Sequence, residues 1–193
     1  MRWPMKLYKL TDSQGYTHNK NCKWGKGITN TVAENNRGKK LCSNQVIHAY
    51  TNPNLALLLN PIHANYHNAR LYEAEGEIKV QDWGKVGVWE LTTVKRFKLP
   101  GWYKNKSIRK KVQVQFSVLC AKAVLKSYEE KFPNDNRPRK AIKAAEQYLS
   151  SNNRNAACAA RATDKLNFAK MADKSIEFIG KHKDSITKTR DGS

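Results

Sequence analysis

His48 and Tyr50 stand two residues apart in VIHAYTNP, and Glu73, Glu75 and Glu77 alternate in LYEAEGEI. On a strand, residues two apart share a face. His48 and Tyr50 would then offer a polar ring and a phenol side by side. Glu75, from a later strand, would supply an anion. That set would offer an aromatic ring for stacking and an anion to stabilise a developing positive charge. The structural alternative is a Glu-x-Glu face that pairs with lysines across a sheet, beside a histidine in the fold.

A second constellation interleaves aromatic and basic residues: Trp102, Tyr103, Lys104, Lys106, Arg109, Lys110 and Lys111. Cations suit phosphates and rings suit nucleobases. Bases at a helix start oppose the macrodipole, a local conflict that favours a binding role over a purely structural one. Arg137 and Arg139, near Asp135, could hold phosphate, but an Asp cap with arginines bridging helices is the stronger reading. Lys140 and Lys143, three residues apart on the same helix, extend a basic stripe. Lys165, Lys170, Lys174, Lys181 and Lys183 would do likewise, or form a solvated face.

Other chemistries have weaker support. GKG at 25–27 and NNRGKK at 35–40 could approach phosphates through backbone amides, but neither matches the P-loop pattern. Cys22, Cys42, Cys120 and Cys158 form no C-x-x-C pair. Free thiols are expected, with Cys120 and Cys158 inside helices, and no metal site. A set of His18, Cys22, Cys42 and His48 is the one combination with ligand types to consider.

Charge bounds the function class. Thirty-six Lys and Arg against 16 Asp and Glu give +20 over 193 residues. Such a field implies a polyanionic partner, nucleic acid or a ribonucleoprotein foremost. Residues 1–100 carry 15 basic and 7 acidic groups, and residues 101–193 carry 21 and 9, so the second half is the stronger candidate. No run of 18 apolar residues exists to span a membrane, and MRWPMKLYKL lacks a signal-peptide pattern. A cytoplasmic protein without a membrane partner is expected.

The elements that would position these residues are legible in part. Lys6–Thr11 alternates as a strand, and residues 12–15 are turn chemistry. Tyr16–Lys40 is expected as a long loop, with room for a short hairpin. Val46–Tyr50 is the second strand. Thr51 or Asn52 caps a short helix with Pro53 at its first position, which Asn60-Pro61 stops. Arg70–Ile78 alternates, and Val86–Phe97 is one strand bent at Gly87. The pattern predicts an α+β domain over 1–100, with a small, mostly antiparallel sheet and one short helix. Lys98–Ser107 breaks the periodicity. Three helices follow over 107–180: Ile108–Phe132, a second from Asn134 or Asp135 to about Leu149, and Asn155–Ile179 with Gly180 beyond it. Residues 181–193 are expected as a basic, disordered tail.

Two resemblances add to this. YKLTDSQGYT, IHAYTNPNLALLLNPIHANYHNARLYEAEGE, VGVWELTTVKRFKLP and VLCAKAVLK resemble a family of small uncharacterised phage and prophage proteins, over residues 6–125. EEKFPNDNRPRKAIKAAEQYL is similar to an immunity-protein helical domain, over 118–180. The histidines usual in that domain's last helix are absent here. Together they imply a mobile-element setting and conflict with a host or rival. The order of His48, Tyr50 and Glu75 also resembles ADP-ribosyltransferase sites, which would imply NAD as cofactor. The reading that charge and resemblance favour is non-enzymatic. It is a phage-type counter-defence protein, anti-CRISPR-like, that occludes nucleic acid or a nucleic-acid-loaded host complex. An NAD-using enzyme and a protein-binding immunity module are the alternatives.

Overall fold

The computed structural model describes residues 5–17 and 20–150. The chain divides between Pro100 and Gly101 into two compact units. The expected third helix (155–179), the tail (181–193), Cys158 and His18 lie outside the described residues.

The first unit is organised by one long antiparallel hairpin. Its arms are β6 (Arg70–Gly76) with β7 (Ile78–Gln81), and β8 (Val86–Val88) with β9 (Glu90–Arg96). β6 pairs with β9 and β7 with β8, so the hairpin folds over near Gly76 and Trp89. A Cβ on Gly76 would lie 2.7 Å from the Glu90 carbonyl oxygen, so only glycine lets the arms approach there. Further strands add to the edges. β1 (Met5–Thr11) joins β6, β4 (Ile28–Thr31) joins β9, and β5 (Ile47–Ala49) joins β8. These ladders make the two larger sheets, β1-β6-β9-β4 and β5-β8-β7. Tyr8 and Tyr50 exchange both backbone hydrogen bonds, at 2.8 and 2.9 Å, so β1 meets the end of β5. With the bent hairpin, that bridge closes the strands into a circuit. Leu7, Trp24, Ala49, Ala74, Val86, Val88 and Leu91 fill its interior.

The helix α1 (Pro53–His63) packs against β1 and buries Leu55, Leu57, Leu58 and Leu59. Each such leucine contributes about 1.5–3 kcal/mol when taken out of water. Asn52 caps the helix, its side chain accepting from Asn54 and Leu55 N–H at 2.8 and 2.9 Å. Pro61 does not stop it. So near the C-terminus, proline removes one bond, while buried Asn60 secures the exit. Its side chain donates to the Tyr66 carbonyl and accepts from Tyr66 N–H, both at 3.0 Å.

Two strand expectations are revised. Tyr16–Lys40 holds the short hairpin it had room for, β2 (Tyr16–Thr17) with β3 (Cys22–Lys23), but also β4, which was not expected. The ITNT strand has no apolar alternation and is held by pairing alone, with Thr29 and Thr92 hydroxyls 2.8 Å apart. Val86–Phe97 is two strands divided at Trp89. Gly87 serves close packing, since a Cβ there would sit 2.8 Å from both Val46 and Val80 side-chain carbons.

The second unit opens with α2 (Gly101–Lys104) and α3 (Lys106–Lys131), followed by α4 (Arg137–Ser150), which packs back on α3. Asn105 caps α3, accepting from Ser107 and Ile108 N–H at 3.0 and 3.1 Å. Ile108, Val112, Gln115 and Leu119, spaced at helical period, are buried, as are Phe116 and Val118. α4 buries Ile142 and Leu149, seven residues apart on one face. The architecture is α+β, antiparallel sheets followed by helices.

Candidate functional site

In the first unit, the polar residues gather where β5, the end of α1 and the β7–β8 turn meet. Ala49 enters the core, so His48 and Tyr50 point to the opposite side of the strand, where α1 lies. Tyr50 Oη stands 3.1 Å from His63 Nδ1, and the two rings stack with centroids 6.0 Å apart. His48 Nε2 accepts the Cys42 backbone N–H at 3.0 Å, which leaves the proton of a neutral ring on Nδ1. Burial pushes the His48 pKa down to about 4, and the nearby Lys85 and Lys9 cations add to the shift. His63 is lowered too, by burial and by Lys85. Burial raises Tyr50 well above the ordinary phenol. At neutral pH the His48, Tyr50 and His63 rings are therefore uncharged.

Lys9 crosses beneath it. Its ammonium donates to the His48 carbonyl at 2.8 Å and lies 4.8 Å from the Trp24 ring centre. Burial lowers its pKa to about 8. Asp82 shapes the adjoining turn, its carboxylate accepting Gly84 and Lys85 N–H, each at 2.7 Å.

Glu75 stands elsewhere. It lies opposite Lys6 on β1 and Thr92 on β9, exposed. β1 runs between β6 and Tyr50, since Tyr8 pairs with Glu73 on one side and bridges to Tyr50 on the other. The structure thus brings His48 and Tyr50 to one cluster and sets Glu75 across a strand from it. Glu73 binds Lys6 at 3.1 Å and Lys95 at 3.7 Å, and Glu77 binds Lys79 at 2.5 Å. The Glu73 pairs are the cross-strand lysine partnerships expected of a Glu-x-Glu face, whereas Glu77 and Lys79 are local neighbours.

The glycine-rich segments spend their amides internally. Gly27 N–H goes to the Thr93 carbonyl, Gly38 N–H to the Gln45 carbonyl, and Lys40 N–H to the Gln45 side chain. Among the described residues, no three His, Cys, Asp or Glu side chains gather as metal ligands. Cys42 Sγ faces Lys85, and Cys22 packs on the core. Cys120 is half-buried in α3, its thiol pushed up to about 11 by burial.

The basic constellation sorts into covered and open groups. Trp102 and Tyr103 are each only 7% exposed and meet edge to face, so their rings are not presented to nucleobases. Arg109 lies 5.1 Å from the Tyr103 ring centre. Lys111 is buried, and desolvation lowers its pKa. Arg137 forks onto Asp135 at 2.9 and 2.7 Å, and Tyr128 donates to the same carboxylate at 2.7 Å. The Arg137 guanidinium and the Tyr128 hydroxyl hold Asp135 well below the usual carboxylate range. Arg139 forks onto Glu129 of α3 at 2.8 and 2.7 Å, and Lys122 reaches Glu146 at 2.5 Å. Both arginines are thus paired within the hairpin. Lys104, Lys106, Lys110, Lys140 and Lys143 are exposed, and no carboxylate pairs with them among the described residues. Residues 101–150 carry 12 basic and 4 acidic groups, so these lysines give the helical unit an open positive surface.

A helix stopped at Asn60-Pro61 leaves His63 outside it, and nothing in the sequence joins Cys42 to Lys85. Helical spacing past Pro61 could have recovered His63. Cys42 and Lys85, 43 residues apart, leave no local signal.

Residues 104–179 match the family model described as "Imm-5 like putative immunity protein". The match takes in α3 and α4 and covers less than half of the chain. No curated protein and no solved structure matches the chain. No helix among the described residues is long and apolar enough to cross a membrane.

Proposed function

We propose that this chain is a non-catalytic binding protein of the immunity type, whose helical unit holds and occludes a macromolecule with an acidic surface. The observation that carries the reading is the immunity-family match over 104–179. The charge supports the choice of partner. With Arg137 and Arg139 paired to carboxylates, attraction is left to Lys104, Lys106, Lys110, Lys140 and Lys143. Exposed ammonium groups act as point charges that steer an acidic surface and raise the association rate. In this reading the partner is a protein, and the setting is conflict between a mobile element and its host or rival.

A second reading is favoured by the same lysines: occlusion of nucleic acid, or of a nucleic-acid-loaded host complex, through phosphate contacts without base reading. The covered Trp102 and Tyr103 remove ring stacking from that mode and leave charge alone.

One experiment separates the two. The full chain and a Lys104→Glu/Lys106→Glu/Lys140→Glu/Lys143→Glu variant serve as baits in lysates with and without nuclease. Capture of a protein that survives nuclease and is lost with the variant supports the immunity reading. Capture that vanishes with nuclease transfers the function to nucleic acid. Its log-log salt slope should then fall by roughly one for each phosphate contact removed. Equal behaviour of both baits defeats both readings.

A further inference from the structure

Two independently fixed segments bring an amine to a thiol. Cys42 lies in the loop before β5, with a left-handed backbone at φ 60° and its N–H held by His48 Nε2 at 3.0 Å. Lys85 ends the β7–β8 turn, where Asp82 binds its N–H at 2.7 Å and Asp82 N–H donates to the Lys85 carbonyl at 3.0 Å. From these anchors Lys85 Nζ stands 2.8 Å from Cys42 Sγ. That is an ordinary separation between nitrogen and oxygen, and it is close for the larger sulfur. Cys42 is exposed, whereas Cys22 and Cys120 are half-buried. An oxidant from solvent therefore reaches Cys42 with an amine already beside it.

We propose that Cys42 and Lys85 form a covalent bridge when the chain meets hydrogen peroxide. Cys42 Sγ attacks one peroxide oxygen, the O–O bond breaks, and a sulfenic acid forms with release of water. Lys85 Nζ, as the free amine, then attacks Sγ. The S–O bond breaks, an N–S bond forms, and the departing hydroxyl takes the amine's proton as a second water. Sulfur loses two electrons and the peroxide gains them. A sulfenic acid condenses with a backbone nitrogen to a sulfenamide in the same way, and the step is reversible. The bridge would tie the loop before β5 to the β7–β8 turn, beside His48 and His63. It does not rest on the binding function of the helical unit.

The test treats the full chain with peroxide and maps its proteolytic peptides by mass spectrometry. A Cys42–Lys85 linked peptide, two hydrogens lighter than its parts and split by a thiol reductant, is expected. Lys85→Arg keeps the cation but lacks the nucleophilic amine. It should give no linked peptide and several-fold more labelling of Cys42 by dimedone, a trap for sulfenic acid. Cys42→Ser should abolish link and label together. A linked peptide that retains an added oxygen overturns the N–S bond. No link, with equal dimedone labelling in wild type and Lys85→Arg, overturns the bridge altogether.

Discussion

Both units carry surface ion pairs, such as Lys6–Glu73 and Arg139–Glu129, but they differ in what their inner polar groups do. In the first, the polar groups nearest the core bond to backbone: Lys9 to the His48 carbonyl, Asn60 to Tyr66, and His48 to the Cys42 amide. In the second, carboxylates meet guanidinium and ammonium groups on the surface of a helical hairpin, as at Arg139–Glu129 and Lys122–Glu146. Buried polar groups without partners are costly, so the first arrangement specifies one geometry. Exposed pairs contribute little and are screened by salt, so the second leaves geometry to a thin apolar seam and spare charge to binding. A strand circuit needs long-range register, whereas a hairpin of helices needs only a turn and a matching stripe. The first unit and the basic second unit are thus suited to different work.

The comparison is tested most severely in the cores. Leu71→Ala, at a position with no exposure between β1 and β9, should destabilise the first unit by about 2–5 kcal/mol. Ile142→Ala, on the narrow α4 seam, should cost the helical unit less. Hydrogen exchange at β6 and at α3 amides would report each loss separately. Equal losses would mean the seam is as consequential as the circuit.

A pH series comes next. Lys9 is lowered from 10.5 to about 8, so between those values the unfolded chain holds more protons than the folded one. Stability therefore rises with pH across that window, by roughly 3 kcal/mol at most. His48, lowered from 6.5 to about 4, behaves alike at the acid end. Its unfolded form takes up a proton first as pH falls, so stability is full above about 6.5 and is lost towards 4. Denaturant titrations of wild type, Lys9→Met and His48→Gln check both. Each variant should flatten only its own limb of the profile.

The caps offer a matched pair. Asn52→Ala and Asn105→Ala each remove a side chain that accepts two first-turn amides. Each should cost about 1 kcal/mol. Faster exchange at Leu55 N–H and Ile108 N–H, respectively, is the readout. The smallest effect is expected from Glu129→Gln, which breaks the exposed pair with Arg139. Its slight loosening of α4, seen as faster exchange there, should fade as salt is added.

Much of the helical unit was legible because its signals are local. The period of Val112 and Leu119, and Pro138 in the first turn of α4, each act within a few residues of themselves, whereas the Asn105 cap lay in a stretch read as a break. In the first unit, β1, β5 and β6 could be read from alternation, but β4 could not. Its sequence, ITNT, carries no apolar face, and only β9 makes it a strand. Trp89 looked like the middle of a strand. It is a corner, with its indole N–H on the Gly38 carbonyl at 2.9 Å and Lys79 4.7 Å from a ring centre.

The sequence by itself determined the α+β class, the excess positive charge, the cap of α1 and an arginine near Asp135 that bridges helices, which is Arg139. Those follow from composition and from neighbours within one or two turns. Only the tertiary structure decided which charges remain open, that Trp102 and Tyr103 are covered, that Glu75 lies across β1 from His48, and that Cys42 meets Lys85. Each of these depends on which distant strands and loops become adjacent. That adjacency is set by packing and register across the whole unit, and spacing along the chain does not record it.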